Sequence, residues 1–190
     1  MPHVVPPGEK RDWILERVTQ CAGRALPGAP LVFDDTTEFM AIDRDHLVEL
    51  RDRLFLVNGH ERERRFTLDG EPKFWVKRTV CLQDGRPYLL KMVFQERFRA
   101  RVGAHEFLCV RSAEKEARVL DLVRGDARFM QGWSTSDAGG NLVRVLKPIG
   151  GPSLMAALLA SETPHEQYFR ELFPGVLSRA LDSFRAIERL

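Results

Sequence analysis

The sequence predicts an α+β fold: a mostly antiparallel sheet of about five strands with one packed helix, an N-terminal helical extension and C-terminal helices. Three observations carry that prediction. The runs Phe74–Leu82 and Pro87–Phe94 are rich in β-branched, aromatic and aliphatic residues, with Asp84-Gly85 between them; glycine tolerates positive φ, so this centre suits a tight hairpin. Two segments, 10–25 and 112–123, carry apolar residues at helical spacing. After Lys147-Pro148-Ile149-Gly150-Gly151-Pro152, a linker by composition, the texture turns helical to the end.

The elements follow in order. Residues 1–9 are proline-rich and read as a flexible start. In 10–25, Ile14, Val18, Cys21 and Ala25 share a helical stripe, and Pro27-Gly28 ends it. Residues 31–42 read as partly extended around Asp34 and Asp35. Leu47–Leu50 and Arg53–Val57 are short strands, and Asn58-Gly59 is a turn signal. The hairpin strands come next. In the helix at 112–123, Ala113, Ala117, Leu120 and Val123 face one way, Ser112 is placed to cap and Gly125 to end it. Phe129–Ser136 and Asn141–Leu146 are strands around the turn Asp137-Ala138-Gly139-Gly140. Ser153–Ala160 is a short apolar helix, and 165–190 is largely helical with a break at Pro174-Gly175.

Composition excludes several classes. Apolar residues make up 44% and charged residues 29% of the 190, which argues against disorder. The formal net charge is +2, too near zero for bulk attraction to nucleic acid or membrane. The three cysteines, Cys21, Cys81 and Cys109, are far apart and form no C-x-x-C, which disfavours a disulfide scaffold or zinc ribbon. The start has no apolar run that reads as a signal peptide, and the longest apolar stretch, Leu154–Ala160, is too short to span a bilayer. A soluble, cytoplasmic protein is expected.

Lys91 sits inside the apolar strand Leu89-Leu90-Lys91-Met92-Val93-Phe94. An ammonium there must leave the core or find a counter-charge. Glu116, on the next helix, could supply it; a strand lysine paired with a glutamate of the following helix is how kinases hold nucleotide phosphates. Read as isolated residues, the two are a strand-edge lysine and a solvated glutamate. The third element is Val145-Leu146-Lys147-Pro148-Ile149-Gly150-Gly151-Pro152-Ser153-Leu154.

With these three pieces in this order, the chain from about residue 50 onward resembles the protein-kinase-like superfamily, which includes bacterial serine/threonine kinases and aminoglycoside phosphotransferase relatives. Leu89-Leu90-Lys91 looks like the third-strand lysine motif and Glu116 like the glutamate of the regulatory helix. Leu146 looks like the gatekeeper, Lys147, Pro148 and Ile149 like the hinge, and 177–190 like the helix before the catalytic loop. The resemblance implies ATP as cofactor. Lys91 would bind its α- and β-phosphates, Glu116 would hold Lys91, and the Lys147 carbonyl and Ile149 N–H would grip adenine; Pro148, without an N–H, falls where none is needed. It divides the chain into an extension, 1–45; a kinase N-lobe-like nucleotide-binding domain, 46–149; and a linker with the first helices of a second lobe, 150–190.

Two departures bear on that reading. No G-x-G occurs, and the place of the glycine-rich loop, between Leu56 and Phe74, holds a charged stretch that reads as a solvated loop. Lys77 is a rival lysine at poorer spacing to Glu116. None of the five histidines is followed two residues later by Asp, and there is no D-F-G; Asp137-Ala138-Gly139 is a chance D-x-G. The 190 residues therefore lack the catalytic base and metal ligands, Mg2+ is expected only with a second lobe, and the chain alone is expected to be inactive. The alternative is a non-catalytic kinase-like scaffold or regulatory module. Arg97, Arg99 and Arg101 with Phe98 read as basic helix or loop surface, so neither nucleic acid nor membrane is an expected partner. The phosphate acceptor is left open. The stripe Leu177, Leu181, Phe184 and Ile187 is expected to fold back or to bury against another copy as a homodimer.

Overall fold

The computed structural model describes residues 2–62, 72–92, 96–151 and 165–188. Ten strands form an eight-stranded mixed sheet and a separate two-stranded ribbon. The large sheet runs β1 (His3–Val4), β2 (Leu31–Phe33), β3 (Leu47–Leu50), β4 (Arg53–Arg62), β5 (Pro72–Cys81), β6 (Pro87–Met92), β10 (Leu142–Leu146), β9 (Gly132–Ser136). All neighbours are antiparallel except β2 and β3. The ribbon is β7 (Glu96–Val102) with β8 (His105–Arg111). Three longer helices accompany them: α1 (Glu9–Ala22), α2 (Ala113–Leu122) and α3 (Phe173–Glu188).

Strand alternation divides the core in two. On one face, Val18 and Ile14 of α1 pack with Val32, Leu47, Leu54, Leu56 and Leu82. On the other, Phe39 and Ile42, around a 3-10 turn at Phe39–Ala41, cover Phe55, Leu90, Val143 and Val145. α2 lies against β9 and β10. Its apolar anchors are Leu120 and Val123, both buried.

The expectation of a five-stranded sheet with one packed helix is overturned: among the described residues the large sheet has eight strands, and three longer helices accompany it. The cause lies in the first 50 residues. His3 and Val4, expected to be flexible, pair with Val32 and Leu31. β2 then pairs parallel with β3, which makes the sheet mixed. Two-residue and three-residue strands are too short to declare themselves by alternation, and it is partner strands that hold them extended.

Asn58-Gly59 is not a turn. The ladder slips between Val57 and Gly59, and the strand continues to Arg62. Gly59 has φ 137°, so a bulge rather than a reversal uses its freedom. Arg97, Arg99 and Arg101 lie on a strand, not on a helix or loop. Pro174-Gly175 does not end the helix: the chain is helical on both sides of it, and the irregularity falls just before the proline. A π-helical stretch, Tyr168–Leu172, leads into it. The expected helix at 153–160, the charged stretch from Glu63 to Gly70, and Pro152 lie outside the described residues.

Candidate functional site

β6 places Leu89 and Lys91 on one face and Leu90 on the other. Register extends the first face sideways: Val76 of β5 and Arg144 of β10 stand directly opposite Lys91, and Leu146 stands opposite Leu89. Ser134 of β9 continues the row beyond Arg144. This is also the face that α1 covers at its β2–β4 end, because Leu56 pairs with Val80, which shares the alternation of Val76. α2 covers its β9–β10 end. Val76, Leu89 and Lys91 lie on this face between those two ends, Val76 buried and Leu89 and Lys91 half-buried.

α2 starts where the sequence places it. The Ser112 Oγ accepts from the Lys115 N–H at 3.0 Å, and Gly125, φ 83°, lies just beyond the helix. That start puts Glu116 in the first turn, facing the sheet. The Lys91 Nζ donates to the Glu116 Oε2 at 3.2 Å, with side chains 30% and 26% exposed. A pair this wet contributes about 0–1 kcal/mol to stability. Glu116 also pairs with Arg144, whose side chain is only 13% exposed. Burial pushes the Arg144 guanidinium below its ordinary value, with Glu116 opposing.

Sequence reasoning brought Lys91 and Glu116 together and missed Arg144. An arginine in an apolar strand, Leu142-Val143-Arg144-Val145-Leu146, carries the same signal as Lys91 in its own strand. Leu146 is buried, and Lys147, Pro148 and Ile149 follow it as exposed extended chain, with Ile149 66% exposed. The Lys147 N–H donates to the Gln131 carbonyl at 2.8 Å.

The rival lysine is elsewhere. Lys77 stands opposite Leu90, so it occupies the face away from α2. It is fully buried, 5.1 Å from the Phe39 ring centroid and 3.2 Å from the His60 Nδ1. Burial pushes its ammonium down to about 8, with Asp43 opposing. The Asp137-Ala138-Gly139 match is structural. Asp137 is buried and accepts from the Thr36 Oγ1 at 2.6 Å and the Asn141 N–H at 2.8 Å. Burial alone would raise its carboxyl; the bonds from Thr36 and Asn141 outweigh that and hold it below the ordinary value.

Among the described residues no group of three or more His, Cys, Asp or Glu is placed to hold a metal, and no helix is long and apolar enough to cross a membrane. No protein-family model, curated protein or solved structure matches the chain.

Proposed function

We propose that the chain is the nucleotide-binding lobe of a protein-kinase-like, ATP-dependent phosphotransferase. The observation that carries this reading is the Lys91 Nζ at 3.2 Å from the Glu116 Oε2. Lys91 lies on β6, the last of the successive antiparallel strands β3-β4-β5-β6, and Glu116 on the next α-helix after the ribbon β7–β8; a strand lysine with a glutamate of a following helix is the phosphate-holding pair of kinases. The shared face of Val76, Leu89 and Leu146 supports it, because a nucleotide base needs an apolar platform beside the phosphate-holding cation. In this reading Lys91 holds the α- and β-phosphates, Glu116 orients Lys91, and the chain from Lys147 to Ile149 meets the adenine edge. Mg2+ would supply further neutralisation of the phosphate charge, its ligands being expected from a second lobe.

Titration calorimetry with ATP tests the reading. A hydrogen bond to a charged group is worth about 1.5–3 kcal/mol, so Lys91→Met should weaken ATP by roughly 10–100-fold. Equal affinity in the two proteins, or none in the wild type, sinks it. These 190 residues hold no H-x-D and no D-F-G, so phosphate release from ATP should not exceed that of a Lys91→Ala control.

A second reading, a kinase-like module that regulates by binding without catalysis, is favoured by the absence of any G-x-G. It calls for no Lys91-dependent affinity, so the same titration separates the two.

A further inference from the structure

Lys91 and Arg144 stand directly opposite each other on adjacent strands. Like charges so placed repel, and they persist together only with a counter-charge between them. Glu116 is that counter-charge, bonded to both. The two cations are not equivalent. Lys91 is 30% exposed, whereas Arg144 is 13% exposed and lies under α2. Among the described residues the Arg144 Nε has no hydrogen-bond partner. Glu116 is therefore the compensation for burying Arg144.

α2 needs such an anchor. Its buried apolar residues, Leu120 and the following Val123, lie at its C-terminal end. Nothing apolar is fully buried in its first turn, where Glu116 sits. An anion arriving at Lys91 draws on the same ammonium that Glu116 uses. With Lys91 as its only partner, Glu116 would lose part of its hold, and the start of α2 with it.

We propose that Arg144 is a positioning residue that keeps Glu116 and the first turns of α2 docked on the sheet before a phosphate ligand reaches Lys91 and after it binds. The site is then assembled in advance, and α2 is not a switch that the ligand must close. The ligand half of this proposal rests on the nucleotide reading above; the docking half does not.

Hydrogen exchange of the peptide spanning α2, with and without saturating ATP, tests it on wild type, Arg144→Gln, Arg144→Lys and Lys91→Met. Loss of a charged hydrogen bond predicts about tenfold faster exchange in Arg144→Gln without nucleotide. Arg144→Lys, which keeps the charge, should restore protection. Lys91→Met should leave α2 protected, because Arg144 still holds Glu116. Added ATP should leave wild-type exchange unchanged and speed that of Arg144→Gln further, because Lys91 is then the one cation left to Glu116. Unchanged exchange in Arg144→Gln, or equal loosening in Lys91→Met, overturns the proposal. Loosening in Arg144→Gln alone, with no ATP bound by any variant, upholds the anchoring and overturns the nucleotide reading. Thermal melts identify any variant that unfolds globally; if Arg144→Gln does, Lys91→Met decides, protection of α2 there upholding the proposal and loosening overturning it.

Discussion

Lys77 shows how one buried charge shapes stability. Its ammonium is pushed from 10.5 down to about 8 by burial, against the pull of Asp43. Between those values the unfolded chain binds more protons than the folded one, so the lysine's contribution to stability improves as pH rises through the window. The full gap corresponds to about 3 kcal/mol. Lys77→Met should therefore be more stable than wild type near pH 7, and the advantage should close between pH 8 and 10.5. Urea unfolding at stepped pH measures this; an advantage independent of pH would refute it. His60 beside it, held below its ordinary value by burial and then by Lys77, should titrate closer to that value in the variant. Asp137 works the other way. Its depressed carboxyl contributes stability above the ordinary 3.8 that is lost as pH falls through the folded value.

β9 and β10 carry Arg144, Leu146 and the start of the hinge-like chain, so their pairing sets the site's edge. Gly132 stands opposite Leu146, and a Cβ there would meet the Val145 carbonyl oxygen at 2.2 Å. That neighbour is backbone and cannot step aside. Gly132→Ala should destabilise the fold by about 2–3 kcal/mol, read as a lower urea midpoint. Unchanged stability would mean that β9 can slide on β10. The helix start was legible at this scale: Ser112 caps α2 as its position in the sequence implied. The ribbon β7–β8 was not. Alternating arginines with Phe98 fit a strand or a basic helix equally, and only the pairing of Arg97 with Val110 through Arg101 with Glu106 decides between them.

Taken whole, the molecule covers both faces of its sheet but leaves α3 largely in solvent. Leu177, Leu181 and Phe184 are 45%, 44% and 67% exposed, and no residue of α3 is fully buried. They do not fold back on the sheet, which turns the expectation toward a second copy. Light scattering should report a dimer for the wild type and a monomer for Leu181→Glu with Phe184→Glu. A monomeric wild type would leave this face without a homotypic role. The N-terminal segment illustrates the converse: its residues 3–4 and 31–33 join the sheet, and α1 closes one end of the face on which Lys91 stands.

What the sequence determined by itself was local. It specified α1, α2 and the β5–β6 hairpin, where period, cap and turn residues agree, and it singled out Lys91, because a charge amid an apolar run needs a partner, and Glu116 as that partner on the next helix. The tertiary structure decided everything that depends on which strands become neighbours. Strand order carried the sheet from about five strands to eight, with two strands of three residues or fewer that no periodicity marks. Register separated Lys91 from Lys77, which lie on opposite faces of strands of similar composition. It also set Arg144 opposite Lys91, across a sequence gap that no local pattern spans, because alternation assigns a face while only the ladder assigns a neighbour.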